Sequence, residues 1–352
     1  MSTETLAWLN ANTLIGYTDK RGTAWHYRAS EQGDESNHYP GAVPVADVRR
    51  RLFAWSAEER PLSVELPATF DEATTLNAAG EPVRVVPVPD RKAIVRSDTG
   101  HVMGVFKDGY TPHQPGEWLL DNVEAILGGD LGIGSAGLLR EGAVAWVQIE
   151  SPENVRTPEG VDFRPNLLAA TSFDGSLATT YARTATVVVC DNTLTAGLAG
   201  ASSALKVRHS RYSGLRVADA RVALQVVEQT ASDFAGEVRR LTSWDVPTRA
   251  WSLFLDAVCP VDETARTTRS ATLAADKRAS LDRLYRFDAR CAPWSGTAFG
   301  VLQAVNTWAH HEQTVRGASR ADRNALNAVT GRTAAADAEA LATLARFAPV
   351  PA

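Results

Sequence analysis

Cysteine is scarce in this chain: Cys190, Cys259 and Cys291 are the only three in 352 residues. They are widely spaced and form no C-x-x-C pair, which excludes a disulfide framework and a zinc knuckle and points to a reducing cytoplasm. Long apolar runs are missing too. No stretch approaches the ~18 apolar residues that a membrane span needs, and the opening MSTETLAWLNANTLIG has no basic segment followed by an apolar one. Secretion and membrane insertion are therefore not expected. Positive charge is also in deficit, with 36 Lys and Arg against 41 Asp and Glu and a formal net charge of -5. A protein basic all over is excluded, so a polyanionic partner would have to be met by a local patch. The chain has no internal repeat and little low complexity beyond the Ala run near Thr333 to Ala338.

The composition is that of an ordinary globular protein, 44% hydrophobic and 22% charged, long enough for about two domains. Residues 1–90 read as a mixed lead-in subdomain. A helix is expected around Val45 to Trp55, where Val45, Val48, Leu52 and Trp55 share a face, and Pro-punctuated segments follow. Residues 91–245 read as a sheet and helix core. KAIVR, the turn Ser97 to Gly100 and HVMGVF make a hairpin. Pro115 opens a helix with Leu119, Val123, Ile126 and Leu127 as its stripe, closed by Gly128 and Gly129. LLREGAVAWVQIE folds back across Glu141-Gly142, then NLLAATSF turns at Asp174-Gly175 into TTYARTATVVV. From Asp219, the positions Ala220, Leu224, Val227, Ala231, Phe234, Val238 and Leu241 repeat in steps of four and three, which predicts one long amphipathic helix. It could cover the sheet or a neighbouring subunit. Residues 246–352 read as helical. The fold class is α+β: a central antiparallel sheet in the order β-β-β-β-α, crossed by the long helix, with a helical C-terminal region.

GIGSAG, at Gly132 to Gly137, matches the dinucleotide fingerprint letter for letter. Its context does not, since a helix is expected before it and a hairpin after it, so it reads as a flexible loop between helix and sheet. Cys190 beside Asp191, with His209 downstream, has the minimum of a nucleophile and a base. A Cys ending a Val-rich strand is more often a small buried hydrophobe. His310, His311 and Glu312 lack the H-E-x-x-H spacing of a zinc helix and read as solvated. No catalytic residue, metal or cofactor is expected.

Charge is more informative. Between Gly175 and Ala218 lie Arg183, Lys206, Arg208, Arg211 and Arg216, with Asp191 as the only acid, a local +4 in a chain of -5. His209 and Tyr212 are interleaved with them, which sets planar groups beside cations, as sequence-tolerant binding of single strands requires. An equally weighted reading is a solvated loop whose arginines pair with acids such as Asp219 and Glu228. Arg183 sits mid-strand, where a cation on an exposed sheet face can line a groove. Lys107, Tyr110 and Arg140, at hairpin tips or ends, could widen that surface or be ordinary surface.

Several segments resemble, in co-linear order, a family of phage- and plasmid-borne proteins of unknown function. They are Trp25-His26, ERPLSVE from Glu59, RSDTGHVMGV from Arg96 and GYTPHQP from Gly109. AGLLREG from Ala136, DGSLATTYARTATVVVCDNTL from Asp174, VRHS from Val207 and GTAFGVLQAVNTW from Gly296 follow. The chain departs from the family at Tyr27-Arg28-Ala29 and after Gln114. The strand order followed by a long helix also resembles, more remotely, ring-forming single-strand annealing proteins of recombination.

With the basic run, the lack of a catalytic motif and the scarce cysteines, the remote likeness leads to the expectation of a non-enzymatic, cytoplasmic protein that binds single-stranded DNA and promotes annealing in homologous recombination. It would act in the host cytoplasm if phage-encoded, as a homo-oligomer for which the remote likeness suggests a ring, with an exonuclease as candidate partner. The rival expectations are an enzyme acting on nucleotides or nucleic acid, and a structural or host-interaction oligomer.

Overall fold

The computed structural model describes residues 8, 11–22, 34–124, 127, 131–187, 192–194, 204–210, 232–260, 268–316 and 320–351. Two antiparallel sheets carry the first two thirds of the chain. The larger is ordered β1 (Thr13–Ile15), β6 (Gly132–Leu139), β7 (Val144–Glu150), β9 (Asp162–Ser172), β10 (Thr179–Val187) and β11 (Asn192–Leu194). Strand β12 (Ala204–Val207) also pairs with β10, and β8 (Val155–Arg156) with β9. The smaller sheet is built on β4 (Pro82–Arg96), flanked by β2 (Ala57–Pro67), β3 (Thr75–Leu76) and β5 (Val102–Lys107). Helix α1 (Val45–Leu52) packs against β6 of the larger sheet, with Val48 and Leu52 buried and Trp55 buried just beyond its end.

The period of two along β9 sorts the core into layers. Leu167 and Ala169 face a core shared with Leu14, Leu52, Trp55, Ile94, Met103 and Tyr181 between the sheets. Leu168 and Ala170 face Trp146, Val144, Leu326 and Val329 on the other side. Both faces of the large sheet are thus covered, and its strands are apolar on both faces. The latter two residues belong to α6 (Arg320–Val329), so the helical region closes the second face.

The expected α+β class is the observed one, with the hairpin over Ser97 to Gly100, the tight turn Arg140–Gly142 between β6 and β7, and helices to the C-terminus. The first 90 residues supply β1 to the large sheet and β2 to the small one, and position 90 lies within β4. Of the long helix expected from Asp219, residues 232–242, called α2 here, are helical, and Asp219 to Ala231 lie outside the described residues. Phe234, Val238 and Leu241 are fully buried, and Phe234 meets Phe163 of β9 at 4.3 Å between ring centroids. This part of the stripe packs on the chain's own sheet. Beyond it, α3 (Thr248–Val258), α4 (Thr268–Phe287), α5 (Ala298–Thr307) and α7 (Arg332–Leu344) form a second core around Trp251, Phe254, Leu284 and Phe299.

Two expectations need correction. GIGSAG is no loop: Gly132–Leu139 is strand β6, paired with β1 on one side and β7 on the other. Its glycines are needed because neighbouring side chains fill the space a Cβ would take. A Cβ on Gly134 would lie 1.8 Å from Glu150 Oε1, one on Gly132 2.3 Å from the Tyr17 hydroxyl, and one on Gly137 3.0 Å from the Trp146 indole. The helix from Pro115 begins as a π-helical turn, Gly116–Asp121, which buries Trp118, Leu119 and Leu120 together.

Candidate nucleic-acid interface

Strand β12 lies beside β10, with Lys206 opposite Thr180 and Val207 opposite Thr179. Among the described residues no strand covers its other side. Lys206 and Arg208 are exposed, while Val207 and His209 between and after them are shielded. The alternation of a strand edge thus continues one step past β12 and turns two cations outward. Among the described residues Lys206 makes no ion pair; Arg208 has a partner of its own.

His209 is what fixes this segment. Its imidazole stacks on Tyr110, with centroids 4.9 Å apart, and on His113 at 4.1 Å. Tyr110 stacks in turn on Phe106 at 3.9 Å, and His113 on Trp118 at 3.6 Å, within 5° of parallel. Five rings form one column, Phe106, Tyr110, His209, His113 and Trp118, drawn from the end of β5, GYTPHQP, VRHS and the π-helical turn. Beside the column stand two threonine hydroxyls. Thr179 Oγ1 is 2.7 Å from His113 Nδ1 and 2.8 Å from Thr171 Oγ1, and each hydroxyl is 3.2 Å from His209 Nε2. Thr171 and Thr179 sit at facing ends of β9 and β10, so the sheet register aims both at the rings. The Tyr110 hydroxyl donates to Ser172 O at 3.1 Å, and that of Tyr181 donates to Trp118 O.

Both histidines are neutral. Burial pushes His113 down from 6.5 to about 3, with His209 adding to the shift. Burial pushes His209 down to about 4 against the opposing effect of the Thr111 backbone. Burial raises the Tyr110 phenol well above its ordinary value, and Asp174 adds to that. The His113 and Thr179 pair has the separation of a base and a nucleophile, but Thr179 is fully buried, and a base depressed to about 3 is a weak one. No group of three or more His, Cys, Asp or Glu side chains suited to a metal occurs among the described residues. The geometry is that of an anchor.

The remaining residues singled out in the sequence fall as follows. Arg183 lies on β10 opposite Leu167. Arg211, Tyr212 and Arg216 lie outside the described residues, as do Cys190 and Asp191. Lys107 is exposed at the end of β5. Arg140 pairs with Asp174 at 2.6 Å. Burial opposes the Asp174 charge, yet bonds from Ser176 and Arg140 hold its carboxyl below the ordinary range. Tyr110 and His209 are interior members of the column rather than open platforms. His310, read as solvated, is desolvated instead: burial, with His311 and Arg323, brings it to about 4.

His113, Thr171 and Thr179 were not singled out in the sequence. The one signal was that GYTPHQP and VRHS each carry a histidine, and nothing in their spacing shows that the two meet. A family model described as a domain of unknown function, DUF932, matches residues 102–330, a span that holds the column and β12. No curated protein and no solved structure matches the chain. No helix among the described residues is long and apolar enough to cross a membrane.

Proposed function

This chain belongs to the DUF932 family, and we propose that it binds single-stranded DNA through the basic segment that follows β10 and promotes strand annealing in recombination of mobile elements, with no covalent step. The observation that carries the reading is the outward turn of Lys206 and Arg208 at a sheet edge directly beside the anchored His209. A fixed backbone lowers the entropic cost of holding a phosphate, because less of the segment must be ordered on binding. Arg183, Arg211 and Arg216 extend the positive run, and Tyr212 supplies the stacking face. His209 acts by holding the segment in place.

The recombination setting rests on the resemblance to phage and plasmid proteins, and the annealing step on the likeness of strand order to ring-forming annealing proteins. Fold likeness alone does not establish function. A homo-oligomer, with an exonuclease as partner, belongs to the same proposal. The described part of the α2 stripe is buried against Phe163 and leaves no interface there.

Filter binding of a labelled oligonucleotide at two salt concentrations tests the binding step. Retention that falls steeply with salt is expected, since phosphate contacts release counterions. No retention at either concentration would remove the proposal.

A further inference from the structure

Among the helices, several arginines meet carboxylates. Arg278 pairs with Asp256, Arg283 with Glu312, Arg286 with Asp282 and Arg290 with Asp288. Arg320 and Arg323 are different. They stand three residues apart at the start of α6, close enough on a helix to repel. Among the described residues, every acceptor either one has is uncharged. Arg320 reaches Gln313 O at 3.4 Å, and Arg323 reaches Gln313 Oε1 and Asn324 Oδ1 at 3.1 Å each, together with Ala309 O. The Nε atoms of both are buried and have no acceptor among the described residues. Burial, followed by the nearness of Arg320, works against the charge on Arg323. Asp322 lies between them in sequence, and its side chain is outside the described residues.

The first turn of α6 packs on a second element, the π-helical turn Trp308–Glu312, where Asn324 Nδ2 donates to His310 O at 3.0 Å. The His310 ring lies near enough to Arg323 to feel its charge. Glu312, on the same turn, is held by Arg283. The junction therefore gathers two guanidinium groups and an imidazole, all partly shielded from water. Like charges held this way call for a multivalent anion, and guanidinium groups match a tetrahedral oxyanion with paired N–H donors. Helix α6 has ten residues, so its first N–H groups and dipole favour the same charge.

We propose that this junction is a phosphate-binding site, in which Arg320 and Arg323 hold the oxyanion and the His310 ring contributes a further donor. The site uses no residue of β12 and stands whether or not that strand binds DNA. Its ligand is a phosphate group, carried by a small phosphomonoester or by the backbone of a nucleic acid.

Calorimetric titration of the full chain with inorganic phosphate, adenosine monophosphate and a short oligothymidylate, at fixed ionic strength, separates these sources. Saturable binding of at least one is expected. Arg320→Gln should weaken it on the order of tenfold and Arg320→Gln/Arg323→Gln on the order of a hundredfold. Loss for phosphate and the mononucleotide marks a phosphomonoester site, and loss for the oligothymidylate alone marks a backbone site. Among the described residues Arg320 makes only one long bond, to a backbone oxygen, so its variant should fold with an unchanged Tm. Lys206→Glu/Arg208→Glu should leave binding of phosphate and the mononucleotide as it was. If a folded Arg320→Gln chain binds all three ligands as the parent does, or the parent binds none, the site does not exist.

Discussion

His209 lies face to face with His113, their ring centroids 4.1 Å apart and their planes 15° from parallel, although 96 positions separate them in sequence. The contact fastens the segment after β12 to the GYTPHQP loop. Truncating His209→Ala removes the middle ring of the column and its two threonine partners. The loss should cost about 2–4 kcal/mol, the range for a buried ring together with a hydrogen bond of about 1 kcal/mol. Chemical denaturation measures this, and a change below about 0.5 kcal/mol, the range of ordinary surface substitutions, would show that the column is not an anchor.

The histidines also set an acid limit. Unfolded, each would titrate near its ordinary 6.5, and folded, His113 and His209 titrate near about 3 and about 4. The unfolded chain therefore binds more protons below about 6.5, so the stability from keeping the rings neutral is fully present above that pH. It is lost as the pH falls towards the folded values, at about 1.4 kcal/mol per pH unit for each histidine. By pH 5 the loss is about 2 kcal/mol for each. His113→Phe keeps a stacking ring and removes the proton site, so its stability between pH 7 and 5 should fall less steeply than that of the parent. Parallel pH profiles would contradict the assignment.

Gly134→Ala tests why the glycine-rich segment is a strand. The added methyl group would overlap the buried Glu150 carboxylate, which holds Arg21. A drop of at least about 2 kcal/mol is expected from overpacking and a disturbed buried ion pair, and any rise in Tm with added nucleotide should be the same in the parent and the variant. If nucleotide raises the Tm of the parent and Gly134→Ala abolishes that rise, the segment is a phosphate loop after all.

What could be read in the sequence was whatever is written locally. Alternation in AIVR and HVMGVF, turn residues at Ser97 to Gly100 and Arg140–Gly142, and the spacing of Phe234, Val238 and Leu241 all produced the elements they predict. What could not be read depends on distant partners. Strand β6 looks like a loop because three of its first six residues are glycines, and the side chains that require them, Tyr17, Glu150 and Trp146, lie on other segments. Strands β2 and β4 form a long antiparallel pair, yet Pro61, Pro67, Pro82, Pro87 and Pro89 hide it, since proline usually marks edges and turns. The histidine column has no local pattern at all, because the ends of β5 and β12, a loop and the π-helical turn assemble it. The basic cluster was visible, but the role of His209 within it depended on its burial.

Association has a direct test in light scattering. The proposal expects a mass that is a multiple of the 37.8 kDa chain at micromolar concentration. A single 37.8 kDa species, with and without DNA, would remove the homo-oligomer.

The most direct measurement is the salt dependence of single-strand binding by the parent and by Lys206→Glu/Arg208→Glu/Arg211→Glu. Each lost phosphate contact should take about 0.7 from the log-log slope, so three lost contacts should flatten it by about 2, with affinity falling by orders of magnitude. Folding should survive, because exposed charges contribute about 0–1 kcal/mol. Tyr212→Ala should instead weaken binding by about 1–3 kcal/mol and leave the slope nearly unchanged. A folded triple variant with the affinity and slope of the parent, or a parent that binds no single-stranded DNA, would show that Lys206, Arg208 and Arg211 are solvated charges and hold no phosphate.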